Sequence, residues 1–206
     1  MSNYLGLDLG TSSLKALLIG DDQRVIASAS VPLSVERPQF GWSEQDPESW
    51  IAACETALGE LSDTHGADLA SVAGIGLSGH MHGATLLGAD DAILRPCILW
   101  NDTRSHEEAA ELEDEESRAI TGNIVFPGFT APKLLWVRTH EPEVYARVAH
   151  VLLPKDYVRY RLTGVLATDV SDASGTSVFD VRHRRWSTEM MDALDIPAAW
   201  WPEVTE

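Results

Sequence analysis

Positive charge is scarce in this sequence: 15 lysines and arginines stand against 32 aspartates and glutamates, for a formal net charge of −17. Sequence-independent grips on nucleic acid or anionic membrane rest on clustered Lys and Arg, so neither partner is expected. Long apolar runs are missing too, and the start, Met1 to Asp8, lacks the basic and apolar regions of a signal peptide. A cytoplasmic location is the expectation. Cysteine is limited to Cys54 and Cys97, far apart and in unrelated contexts, which argues against a disulfide framework and a zinc site. Both are expected to be free thiols in or near the core. Internal repeats and low-complexity segments are absent as well.

What is present is an ordinary globular composition, 44% hydrophobic over 206 residues, enough to bury a real core. Tyr4 to Asp8 and Leu14 to Ile19 read as two strands joined by a small polar turn. A third strand from about Arg24 to Val31 completes a three-stranded antiparallel meander. Asp46-Pro47-Glu48 supplies a cap, a first-turn proline and an early acid for a helix to about Thr64, whose apolar residues Trp50, Ile51, Cys54, Ala57, Leu58 and Leu61 recur at helical spacing. Val72 to Leu77 reads as a short buried strand, Ala84 to Leu87 as another, and Ile98 to Trp100 as a strand end. Helices are expected near 104–112, 116–121, 132–139, 141–148, 156–162 and 188–194. The acidic run Glu107 to Glu116 reads as the wet face of a helix. The closing stretch from Trp200 to Glu206 is expected to hold no helix or strand, as though the chain continued into more protein. The order of elements predicts an α/β domain with a mixed sheet opening in the antiparallel meander and with helices on both faces.

Asp8-Leu-Gly10-Thr11-Ser12-Ser13-Leu-Lys15 puts an acid at a strand end, then a small-residue turn, then a lysine. Gly10 allows close backbone approach, and the turn amides and the hydroxyls of Thr11, Ser12 and Ser13 can donate to phosphate oxygens. Asp8 can hold Mg²⁺, usually through water, and Lys15 can neutralise charge on a transferring phosphoryl group. A turn rich in Gly, Thr and Ser for conformational reasons alone is the plain alternative. No helix and no Gly-Lys-Ser/Thr ending follow, so this is not a Walker A loop.

Gly74-Ile-Gly76-Leu-Ser-Gly79 has the spacing of a dinucleotide fingerprint, but His80-Met81-His82-Gly83 follows where a helix would be required. That reading is rejected. His80 and His82 without a third ligand are a weak metal signal; sugar contact or packing suits them better, with Met81 offering an apolar surface. Trp100-Asn101-Asp102-Thr103-Arg104 provides a stacking surface, an amide, a carboxylate and a guanidinium, groups that suit a polyol. A helix cap by Asn101 or Asp102 beside a core tryptophan would produce the same pattern.

The hairpin turn resembles the first phosphate motif of the actin, hexokinase and sugar-kinase superfamily. An ordered set of segments over nearly the whole chain resembles the xylulokinase branch of the FGGY carbohydrate kinases. It comprises Gly41-Trp-Ser-Glu-Gln-Asp-Pro47, Gly79-His-Met-His-Gly-Ala-Thr85, Leu94-Arg-Pro-Cys-Ile-Leu-Trp-Asn-Asp102, Thr121-Gly-Asn123, Pro127-Gly-Phe-Thr-Ala-Pro-Lys-Leu-Leu-Trp136, Leu152-Leu-Pro-Lys-Asp-Tyr157, Leu162-Thr-Gly164 and Asp169-Val-Ser-Asp-Ala-Ser-Gly-Thr176.

This resemblance implies an actin-like ATPase, ribonuclease H-like domain over residues 1–206, the N-terminal sugar-binding part of a kinase that transfers the γ-phosphoryl group of ATP to D-xylulose. Mg²⁺ and a ketose are its implied ligands. Met81 and His82 would touch the ketose, Trp100, Asn101 and Asp102 would line its pocket with Arg104 beside them, and Asp8 would serve metal and phosphate. Lys133, Trp136, Lys155 and Asp172 fall in matching segments but read as packing and helix stability, although Asp172 with Ser171 and Ser174 could contact a sugar or a second domain. The family's catalytic base lies in a Gly-Gly-Asp motif, and no Gly-Gly pair followed by Asp occurs here. The resemblance therefore implies that a C-terminal domain of the same protein is the partner of this one, that the isolated fragment is inactive, and that a homodimer is compatible with the whole. Kinases of another ketose or polyol (ribulose, fuculose, rhamnulose, glycerol) and a non-catalytic sugar-binding module of the same fold are the rival readings.

Overall fold

The computed structural model describes residues 2–206. In chain order its elements are β1 (Asn3–Leu9), β2 (Ser13–Ile19), β3 (Val25–Pro32), β4 (Glu44–Gln45), α1 (Pro47–Leu69), β5 (Val72–Gly79), β6 (Thr85–Leu87) and β7 (Cys97–Ile98). There follow α2 (His106–Leu112), α3 (Glu115–Thr121), α4 (Thr130–His140), α5 (Pro142–Tyr145), β8 (His150–Leu152), α6 (Pro154–Thr163), β9 (Ala167–Asp169) and α7 (Val170–Ala173). β10 (Phe179–Asp180), β11 (Arg185–Trp186), α8 (Thr188–Leu194) and β12 (Glu203–Thr205) complete the chain. Two compact units result: one comprises the segments up to Val35 and from Asp46 to His80, the other Glu36–Gln45 and Met81–Glu206.

In the first unit the strands lie in the order β3-β2-β1-β5, with β1, β2 and β3 antiparallel and β5 parallel to β1. The meander expected from the alternating pattern is there. Leu5, Leu7, Leu9, Leu14, Ala16 and Leu18 share one face and are buried, because successive side chains of a strand point to opposite sides. Each such leucine contributes roughly 1.5–3 kcal/mol. Helix α1 packs on β3, β2 and β1 with Trp50, Cys54, Ala57 and Leu61 buried. Its start is the one expected: Asp46 accepts from the Glu48 N–H ahead of Pro47. It runs past Thr64 to Leu69, with a break in helical geometry at His65 (φ −136°, ψ 35°).

One expectation is corrected here. Strand β5 is longer than 72–77 and is not buried: it is a sheet edge beyond the reach of α1's main packing, and Ile75 is 53% exposed. On the sheet face turned away from α1, Tyr4, Asp8 and Lys15 are exposed.

The second unit is built from small two-stranded sheets, β4-β7, β6-β8, β10-β11 and β9-β12, set among helices. Its core gathers Leu86, Ile98, Leu134, Val137, Val151 and Val178. The helices expected at 104–112, 116–121, 132–139, 156–162 and 188–194 are α2, α3, α4, α6 and α8, each within a few residues. The one expected at 141–148 is the single turn α5. The closing stretch, expected to be irregular, holds β12, which pairs in parallel with β9. Both cysteines are free and buried, and burial pushes their thiols up to about 11. No helix among the described residues is long and apolar enough to cross a membrane.

Candidate active site

The Gly10–Ser13 turn is a tight hairpin loop. Leu9 and Leu14 pair across it, the Gly10 N–H donates to the Ser13 carbonyl at 3.0 Å, and the Leu33 N–H donates to the Ser12 carbonyl at 2.9 Å, tying the loop to the end of β3. Thr11 and Ser12 stand at the tip, with Ser12 exposed. Asp8 and Lys15 are directly opposed across β1 and β2, and Ser78 of β5 lies beside Asp8 on its other side. The uncovered sheet face thus carries a row of ammonium, carboxylate and hydroxyl. Next to it Gly6 pairs with Gly76. With no side chains at either, the sheet has a depression of about 420 Å³ lined by Gly6, Asp8, Lys15, Leu17, Gly76 and Ser78. The glycines that mimicked a dinucleotide fingerprint lie within a strand instead, and one of them forms the floor of this trough.

No group of three or more His, Cys, Asp or Glu among the described residues could cage a metal ion. The donor set here suits Mg²⁺, which keeps several waters and takes one or two carboxylates together with substrate phosphates. Asp8 is the carboxylate available in this trough.

The ketose candidates lie in the second unit. A bridge from the Ala84 N–H to the Ile98 carbonyl at 3.2 Å runs antiparallel. It places Met81 and His82, before it, and Trp100 and Asn101, after its partner, at the same end of the ladder. Met81 is 44% and Trp100 45% exposed. His82 holds a left-handed φ of 65°, rare for a residue with a side chain. Its Nδ1 lies 2.9 Å from the Gly175 carbonyl and its ring 4.5 Å from that of Phe129. Since a carbonyl only accepts, Nδ1 carries the proton of the neutral ring and Nε2 is left as an acceptor. Burial first, then the charge of Lys133, lowers His82 to about 4 against the opposing effect of the Gly175 bond, so the ring is neutral near pH 7. His80 belongs to the first unit, buried edge-on against Trp50 with ring centroids 5.5 Å apart, a packing role.

Asp102 and Arg104 depart from expectation. Asp102 is 1% exposed and its carboxylate accepts from the Ser43 N–H (2.6 Å), the Arg104 N–H (2.9 Å) and the Arg104 guanidinium (3.0 and 2.7 Å). The Arg104 side chain is 1% exposed, reaches Glu44 at 2.7 Å, and lies 3.7 Å from the Trp42 ring and 4.9 Å from that of Trp136. Glu44 also takes Arg95 at 2.6 Å, and Arg95 takes Glu141 at 2.8 Å. The physical reason is burial: both side chains are 1% exposed and turned toward each other and Glu44, not toward solvent. Asn101 remains half-buried beside Trp100, its Oδ1 without a hydrogen-bond partner among the described residues.

Lys155 likewise proves internal, its Nζ lying 2.8, 2.6 and 3.1 Å from carboxylate oxygens of Asp156, Asp169 and Asp172. Burial opposes its charge, but the three acids outweigh that and hold its pKa above the ordinary lysine value. Sequence reasoning passed over the glycines that let these parts approach. A Cβ on Gly128 would lie 2.1 Å from the Trp100 carbonyl oxygen, and one on Gly175 would lie 2.3 Å from the His82 ring.

The profile described as "FGGY family of carbohydrate kinases, N-terminal domain" matches residues 3–206. The chain belongs to this family. FGGY kinases have an actin-like ATPase fold, in keeping with the mixed sheet found here. Among curated relatives, the xylulose kinases of Klebsiella pneumoniae and Escherichia coli K12 are 52% and 49% identical over 205 residues, 98% of this chain. A solved xylulose kinase structure from Brucella ovis superposes with a TM-score of 0.97 at 56% identity, over 99% of this chain and 43% of that one. This FGGY chain spans 42% of the length of the two curated relatives.

Proposed function

We propose that this chain is the N-terminal, sugar-binding domain of an ATP-dependent ketose kinase that phosphorylates D-xylulose to D-xylulose 5-phosphate. The observation that carries the proposal is the opposed pair Asp8 and Lys15 beside a glycine-floored trough on the uncovered sheet face. An acid and a cation at the mouth of a small-residue hairpin suit polyphosphate and Mg²⁺ rather than a neutral ligand. The choice of D-xylulose is supported by the names of relatives at 49% and 52% identity.

Phosphoryl transfer depends on alignment and on neutralising charge, so the roles follow from the groups. Asp8 would hold Mg²⁺ through water, and that ion, when bound, supplies charge neutralisation on the phosphates. Lys15 would face the phosphoryl oxygens, with Gly10, Thr11, Ser12 and Ser13 offering donors at the turn. Met81 and Trp100 would present apolar surface to the carbon-hydrogen faces of the ketose. His82 would accept from a sugar hydroxyl through Nε2, and Asn101 would add an amide. The carboxylate that takes the hydroxyl proton is assigned to a C-terminal domain of the same protein, since no Gly-Gly-Asp motif occurs in residues 1–206.

A coupled ADP-release assay on the full-length gene product, with a panel of ketoses and polyols, tests this reading. D-xylulose should give the highest kcat/KM, and residues 1–206 run alongside should give no turnover. A full-length enzyme that prefers another polyol would replace the substrate and keep the chemistry; robust turnover by the fragment would refute the assignment of the base.

A further inference from the structure

Lys133 sits on α4 with no solvent exposure, between the buried residues Ala131, Pro132, Leu134 and Leu135. Its Nζ donates to the His82 carbonyl at 2.7 Å and to the Gly128 carbonyl at 2.7 Å. Thr130, one turn earlier, adds its hydroxyl to the His82 carbonyl at 3.2 Å. Burial draws the Lys133 amine down to about 7, with nearby Cys97 and Asp102 opposing the shift. A neutral amine still has two N–H groups and an ammonium three, so both carbonyls are served in either state.

Stability alone does not account for an amine in this position, because an apolar side chain of similar length would fill the same space without desolvation of a polar group. What such a side chain could not do is hold two loop carbonyls. These belong to the two loops of interest. His82 carries the left-handed backbone of the Met81-His82 segment. Gly128 is pressed so closely on the Trp100 backbone that no side chain fits between them. We propose that Lys133 is the positioning residue of the ketose site, fixing the His82 backbone directly and the Trp100 backbone through Gly128, so that Met81, His82 and Trp100 are presented to the sugar in one arrangement. This rests on the reading of those three side chains as ketose contacts.

Displacing a reactant by about 1 Å can cost on the order of 100-fold in rate. In the full-length enzyme Lys133→Met should lower kcat/KM for the ketose by about that factor, raise its KM, and leave the KM for ATP unchanged. A packing defect would not divide the two substrates in this way. Amide hydrogen exchange gives a readout independent of activity: the 81–84 and 127–130 segments should exchange at least about tenfold faster in Lys133→Met, with the β1–β3 segments unchanged. Thr130→Val is the milder companion, expected to raise ketose KM several-fold, and it decides the matter if Lys133→Met does not fold. Equal shifts in both KM values, or unchanged exchange in the two loops, would overturn the proposal. If the wild-type enzyme phosphorylates no ketose, the functional reading fails, whereas the exchange data still decide whether Lys133 fixes the loops.

Discussion

Arg104 offers the sharpest test of the distinction between a sugar reader and an internal brace. Truncating it to Ala removes a guanidinium bound to Glu44 at 2.7 Å and to Asp102 at 2.7 Å, with both partners below a tenth exposed. Removing one member of a buried ion pair typically costs about 3–5 kcal/mol, because the charge left behind is uncompensated. Here the low end applies: Glu44 keeps Arg95 at 2.6 Å and Asp102 keeps two backbone N–H donors. Loss of a desolvated stack on Trp42 adds roughly 2 kcal/mol, and neighbouring effects of this kind do not simply add. A loss of about 4 kcal/mol is expected for Arg104→Ala. Arg104→Lys should lose about half as much, since a single ammonium keeps the charge but cannot fork across both carboxylates while lying on indole. Urea denaturation followed by tryptophan fluorescence and far-ultraviolet circular dichroism measures both, with the slope unchanged if only stability is altered. If Arg104→Ala lost less than about 1 kcal/mol and instead raised ketose KM in the full-length enzyme, the bracing role would be wrong and the sugar contact right.

Gly76→Val separates site shape from stability: nothing lies within 4 Å of a Cβ there, so stability should move by no more than about 0.5 kcal/mol. The side chain would rise into the trough beside Asp8, and KM for ATP should increase about tenfold or more with ketose KM unchanged. His82 makes the fold acid-sensitive. Its folded pKa of about 4 lies below the ordinary 6.5, so its contribution is fully present above pH 6.5 and is lost as pH falls to 4. For a group only partly buried the loss is about 2 kcal/mol. His82→Asn, which tolerates the left-handed backbone, should flatten the urea midpoint over that window. Lys155→Met would leave the buried Asp156 beside Asp169 and Asp172 without the amine that contacts all three, at a cost of about 3 kcal/mol at pH 7. The deficit should shrink at pH 4 as Asp156, whose pKa burial raises, takes up a proton, which urea midpoints at the two pH values report.

Long elements with one covered face were legible in the sequence. The alternation of Leu5, Leu7 and Leu9 with Tyr4, Gly6 and Asp8, and the cap Asp46 before Pro47, are local signals with a fixed period, and the hairpin and α1 formed where they pointed. Strands of two or three residues have no period to read. Glu203–Thr205 is a strand only because Ala167–Asp169 lies beside it, and that pairing joins residues far apart in sequence. The exposure of β5 was hidden for a related reason: an apolar run is compatible with burial on both faces, and only the sheet order shows that Ile75 stands at an edge.

The candidate site residues divide along the same line. Asp8, Lys15, Met81 and Trp100 keep exposed side chains at strand ends or loops, where residue type alone announces chemistry. Arg104 and Lys133 are charged groups turned inward, and composition cannot tell a fork stacked on tryptophan from one waiting for a ligand. A local hint did exist for Lys133. It stands in Thr130-Ala-Pro-Lys133-Leu-Leu-Trp136, where a helix has apolar neighbours on every side of a lysine, and lysines almost never bury without a partner. Such a residue must find carbonyls or carboxylates inside the fold, so it marks a place where loops are held rather than a place where a ligand binds. The same logic covers Glu44, enclosed in Gly41-Trp-Ser-Glu-Gln-Asp-Pro47 and answered by two arginines from elsewhere in the chain. Inward charges in the second unit therefore brace one another and the loop carbonyls, whereas Asp8 and Lys15 keep exposed side chains on the sheet of the first unit.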